Sequence, residues 1–119
     1  MKALFTFSIL LLMSFTLPTV ELTGQWNGTL NVQGTQIRIV FHVDKKDGQY
    51  VTLFDSPDQN AYGLPVATTT FNSPDVKFEM SNLGAVFAGK LSDENITGTW
   101  TQSGQTLPLV LVKTSDSPK

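Results

Sequence analysis

This chain has no cysteine and a single histidine, His42, among its 119 residues. The first absence excludes a disulfide framework, thiolate metal sites and a lipid-modified amino-terminal cysteine. The second excludes a paired-histidine metal motif. No serine has glycines on both sides at the spacing of a nucleophile elbow, and no phosphate-cradling glycine loop occurs. Positive charge is also scarce: Lys and Arg number 8 against 10 Asp and Glu, scattered without a basic cluster, so nucleic acid is not the expected partner. No cofactor is implied.

What is present begins with Lys2 and the apolar run from Ala3 to Phe15, followed by Thr16, Leu17 and Pro18. A positive start and a short apolar stretch are the marks of a signal peptide, taken here as residues 1–19. The run falls short of the roughly 20 apolar residues a bilayer span requires, so a retained anchor is the weaker reading. The expectation is a periplasmic or secreted protein with no stable membrane span after cleavage.

From Glu21 onward apolar and polar residues alternate at period two, and helical periodicity is nearly absent. The first strand, Val20 to Val32, sets Leu22, Gly24, Trp26, Gly28, Leu30 and Val32 on one face and polar residues on the other. Thr35 to Asp44 follows, with Ile37, Ile39, Phe41 and Val43 inward and Arg38 and His42 outward. Lys45 to Gly48 is a hairpin turn into Gln49 to Asp55. Further strands are expected over Val66–Asn72, Val76–Ser81, Ala85–Ser92, Ile96–Gln102 and Gln105–Lys113.

Eight short antiparallel strands with tight turns predict an all-β domain over residues 20–113, an up-and-down, lipocalin- or avidin-like barrel that removes its own edges, with 114–119 as a disordered tail. A two-sheet sandwich is the competing arrangement. Two Trp, several Phe and many aliphatic residues share the inward parity, which predicts an interior filled mainly by its own side chains. Inward glycines at Gly24, Gly28, Gly89 and Gly98 either open space or mark bent strands.

The segment Asp55 to Pro65, DSPDQNAYGLP, is the most polar and turn-rich stretch, and it predicts a stiff recognition loop. Asp55, Ser56, Asp58, Gln59, Asn60 and Tyr62 are its candidate binding residues, with His42 and Gln102 as neighbours. Asp55 and Asp58 are also the carboxylates available for acid–base work or, with Asn60, for calcium, but the calcium-loop pattern is absent. The alternative for Asp55 and Ser56 is bracing, through hydrogen bonds to backbone amides. Trp26 and Trp100 sit in similar settings, LTGQW and ITGTW, as interior plugs or as ligand-stacking surfaces. On the outward parity of strands flanking the first, Val40, Val110 and Val112 predict an apolar docking patch.

The segments GQWNGTL (Gly24–Leu30), IVFHV (Ile39–Val43), DSPDQ (Asp55–Gln59), GLP (Gly63–Pro65), GTWTQ (Gly98–Gln102) and LPL (Leu107–Leu109) together resemble the β-domain that precedes the catalytic domain in some secreted bacterial α/β-hydrolases. The resemblance spans nearly the whole mature chain, and DSPDQ and GTWTQ are its most specific parts. It implies a stand-alone accessory or recognition barrel, with an unidentified small ligand, an envelope protein or an α/β-hydrolase as partner. Monomer and homodimer are both compatible with it. The hydrolase activity is not expected to carry over, since the resemblance covers only the domain that precedes the catalytic one. The alternatives are a lipocalin-like carrier of a small apolar ligand and a component of a hydrolase-associated enzyme.

Overall fold

The computed structural model describes residues 21–117, so the expected signal peptide, 1–19, lies outside the described residues. Nine antiparallel strands form one curled half-barrel sheet: β1 (Gly24–Val32), β2 (Thr35–Lys46), β3 (Gln49–Ser56), β4 (Ala61–Pro65), β5 (Thr68–Asn72), β6 (Asp75–Met80), β7 (Ala85–Ser92), β8 (Asn95–Gln102) and β9 (Gln105–Ser115). Their order across the sheet is β4-β3-β2-β1-β9-β8-β7-β6-β5. A single sheet of this order removes the two-sheet sandwich.

Except for β4 and β5, which stand at opposite ends of the order, strands consecutive in sequence are neighbours in the sheet, and β9 returns to pair with β1. The sheet curls until its two ends, β4 and β5, follow one another in the chain. Between them Val66 N donates to the Thr52 carbonyl of β3 at 3.0 Å, and Ala67 N donates to the Glu79 carbonyl of β6 at 2.9 Å. One length of backbone therefore changes partners midway, from β3 above to β6 below. Below the change, β3 and β5 meet through side chains: the Thr52 and Thr69 hydroxyls are 2.8 Å apart, and the Tyr50 ring stands edge-on to Phe71.

β4 lies inside the stretch expected to be a loop. Only 57–60 is a turn, with a 3-10 helix at Pro57–Gln59 and a left-handed Asn60 (φ 54°) whose N–H donates to the Pro57 carbonyl. Two prolines and a glycine mask this strand in the sequence, yet the unpaired upper edge of β3 recruits it, and Pro65 is tolerated because it closes an end strand. Several limits also move: among the described residues β1 starts at Gly24, β2 runs past Asp44 to Lys46, the strand expected from Val66 starts at Thr68, β3, β6 and β8 shift by one residue, and β9 takes in Thr114 and Ser115, which were expected in the tail.

Period two then does what alternation requires. Leu22, Trp26, Phe41, Val43, Phe78, Phe87, Ile96 and Leu111 are fully buried on the inner face. Phe41 is the hub, 4.4 Å from Phe78, 5.5 Å from Phe54 and 6.2 Å from Phe87 between ring centroids. The glycines mark close approach rather than space. A Cβ on Gly98 would run into the Ala88 carbonyl, and one on Gly28 would lie 2.8 Å from Leu109 Cδ1.

Strand alternation fixes which turns share an end. The turns 33–34, 57–60, 81–84 and 103–104 crown one end. The turns 47–48, 73–74 and 93–94 lie at the other, together with both limits of the described chain.

Candidate functional site

The polar residues of DSPDQ divide between two faces, because adjacent residues of a strand point opposite ways. Asp55 points outward and lies two residues along β3 from Leu53, the register partner of His42. His42 Nε2 stands 2.7 Å from Asp55 Oδ2, with both side chains 18 % exposed. The other carboxylate oxygen accepts the Gly63 N–H at 2.7 Å. One carboxylate thus ties β2, β3 and β4 together across the outer wall.

Asp58 holds the turn down. Where β3 leaves the ladder, the Arg38 N–H is left without a strand partner, and Asp58 Oδ2 accepts from it at 2.8 Å. The Arg38 guanidinium grips the same carboxylate, its Nη2 donating to Oδ1 at 2.9 Å. These hydrogen bonds from the guanidinium and the backbone amide hold the Asp58 carboxyl below its usual range, and the same contact raises the Arg38 guanidinium above its own. Both carboxylates named as an acid–base or calcium pair are therefore occupied in holding backbone. Among the described residues no group of three or more His, Asp or Glu side chains is arranged to hold a metal ion.

Folding the turn back over β2 also breaks the expected docking patch. Val40 shares a small crevice with Pro57 and is only 9 % exposed, whereas Val110 and Val112 remain 47 % and 46 % exposed. Asn27 of β1, paired with Val40 on one side and Val112 on the other, separates them. Tyr62 and Asn60 are exposed beside the turn.

Ser56 points the opposite way, is fully buried, and donates through Oγ to Gln59 Oε1 at 3.0 Å. That bond leans Gln59 over the crowned end of the sheet, where there is a cavity of about 300 Å³. Leu30 and Val32 of β1 and Ile37 and Ile39 of β2 form one wall. Phe54, Trp100 and Leu107 form the other, with the Phe54 and Trp100 ring centroids 5.8 Å apart. Gln59, Gln102, Gln105 and Ser103 supply the polar rim, with Leu83 beside them. Gln102 is fixed at both ends of its amide: Oε1 accepts from Trp100 Nε1 at 3.2 Å, and Nε2 donates to the Leu83 carbonyl at 3.0 Å.

Five of the candidate residues thus fall into three places. Gln59 and Gln102 meet at the cavity, Asp55 and His42 join on the outer wall, and Asp58 braces the turn. Trp100 lines the cavity, while Trp26 is enclosed and donates through Nε1 to the Leu22 carbonyl at 2.8 Å. Leu83, Ser103 and Gln105 complete the rim and were not singled out from the sequence. Their one signal is position beside a turn at the same end of the meander. No family model, curated protein or solved structure matches this chain.

Proposed function

We propose that this chain is an exported, non-catalytic binding module that takes a small apolar group into the cavity at the crowned end. The observation that carries the reading is the cavity itself. Its volume lies at the lower bound of ordinary ligand pockets, roughly 300–1,000 Å³, its walls are apolar and aromatic, and its few polar groups converge at the mouth. Export rests on the amino-terminal apolar run, and an accessory role beside an α/β-hydrolase rests on the resemblance of DSPDQ and GTWTQ to the domain that precedes such enzymes. The polar turn acts through this site by positioning Gln59, while its carboxylates hold the wall in shape.

The test is native purification from the envelope fraction followed by organic extraction and mass spectrometry. A stoichiometric small apolar molecule in the wild type, lost in Leu107→Trp with the fold retained by circular dichroism, is the expected result. An extract with no such molecule, together with no binding of added apolar probes, overturns the reading.

A further inference from the structure

The cavity's lining sets the charge of what it accepts. Of the twelve side chains around it, none is Asp, Glu, Lys, Arg or His; the polar ones are three carboxamides and one hydroxyl. The charged residues next in sequence to lining residues are Asp58 beside Gln59, Arg38 between Ile37 and Ile39, and Asp55 beside Phe54; Asp58 and Arg38 pair with each other in holding the turn against β2, and Asp55 faces His42 on the outer wall. A carboxylate or ammonium head entering the mouth would lose water and gain no counter-charge, which is costly. A neutral head that both donates and accepts matches the carboxamides, whose amide groups do the same.

Size follows from volume. About 300 Å³ corresponds to roughly ten waters at about 30 Å³ each, hence to a ligand of about ten non-hydrogen atoms. The geometry points to an uncharged amphiphile with a short apolar chain and an amide- or alcohol-type head, its chain between Ile39, Phe54 and Trp100 and its head among Gln59, Gln102 and Gln105. This inference rests on the proposed binding role and adds the ligand's charge and size to it.

A matched series separates the two claims. Octanamide, octanol, octanoate and octylammonium share a chain and differ only in the head. Titrated at neutral pH into isotope-labelled protein, octanamide and octanol are expected to shift the Trp100 indole N–H and the Gln59 and Gln102 side-chain amide signals, leaving the Trp26 indole in place. Octanoate and octylammonium are expected to bind at least about tenfold more weakly. Gln105→Lys, which places a cation at the exposed rim, is expected to bring octanoate up to the affinity of octanamide.

Octanoate binding the wild type as tightly as octanamide would overturn the charge inference and leave the binding role standing. No response to any of the four, nor to hexyl and decyl homologues, would overturn both. A response confined to Val110 and Val112 would move the site to the outer wall and overturn both as well.

Discussion

Trp26 and Trp100 begin from nearly the same local sequence, Leu-Thr-Gly-Gln-Trp and Ile-Thr-Gly-Thr-Trp, and end in opposite settings. Trp26 is sealed. Its N–H is taken by the Leu22 carbonyl, and the Lys113 ammonium closes over its ring at 5.6 Å. Trp100 keeps a face on a cavity, and its N–H goes to a rim glutamine. A strand's alternation decides only that an indole points inward. What fills the space beside it is decided by the strands across the interior, and those supply Phe41, Phe78 and Phe87 to the middle of the sheet but mainly branched aliphatics and turn residues to the crowned end.

The largest expected effect breaks this comparison directly. Trp26→Ala should cost about 3–5 kcal/mol, because it leaves a cavity in a filled layer and strands the Leu22 carbonyl. Trp100→Ala should cost less, about 2–3 kcal/mol, since this buried indole borders the cavity and is not packed on every side. For a domain of this size each kcal/mol moves Tm by about 4–8 °C, so thermal melts resolve the difference. Equal losses would mean that the two ends are packed alike.

Two leucines on one strand sharpen the same contrast with additions instead of deletions. Leu109 is buried beside Gly28, and Leu109→Trp should cost about 1–3 kcal/mol through overpacking. Leu107 borders the cavity, two residues away on the same face, and Leu107→Trp should lie within about 0.5 kcal/mol of the wild type because the added ring has room. Urea midpoints at constant slope measure both. A Leu107→Trp protein destabilised as much as Leu109→Trp would show that the crowned end has no space to fill.

How far this was legible follows from the physics of each element. The strands of the meander and their inward residues follow from period two, and turns at Gly34, Gly48, Gly84 and Gly104 follow from the positive φ that glycine adopts without strain. β4 was illegible, because Pro57, Gly63 and Pro65 carry loop chemistry and its strand state depends on the unpaired edge of β3. The hollow end was illegible for a different reason. A void is a difference of volumes summed over β1, β2, β3, β8 and β9, and no spacing along one strand encodes it. Gln59 and Gln102 were found for their polarity, and their meeting depends on the Ser56 bond and on the alternation of turns between the ends.

The smallest expected effect concerns the brace that separates rim from wall. The Arg38 guanidinium and backbone N–H hold the Asp58 carboxyl below its ordinary range, so the folded state binds its proton more weakly than the unfolded chain does. Its contribution to stability is therefore fully present above about pH 4 and is lost as pH falls through the depressed folded value. With Arg38 and Asp58 side chains 63 % and 34 % exposed, solvent screens the pair and the contribution is small. Asp58→Asn should then lower the urea midpoint slightly at neutral pH, and the gap to wild type should shrink steadily on acidification and in high salt. Octanamide affinity should also fall in this variant, because the turn that carries Gln59 loses the ion pair to Arg38 and is held to β2 less firmly. A gap that stays constant through the acid range, with unchanged affinity, would mean that the brace belongs to the wall alone and that the rim holds its shape without it.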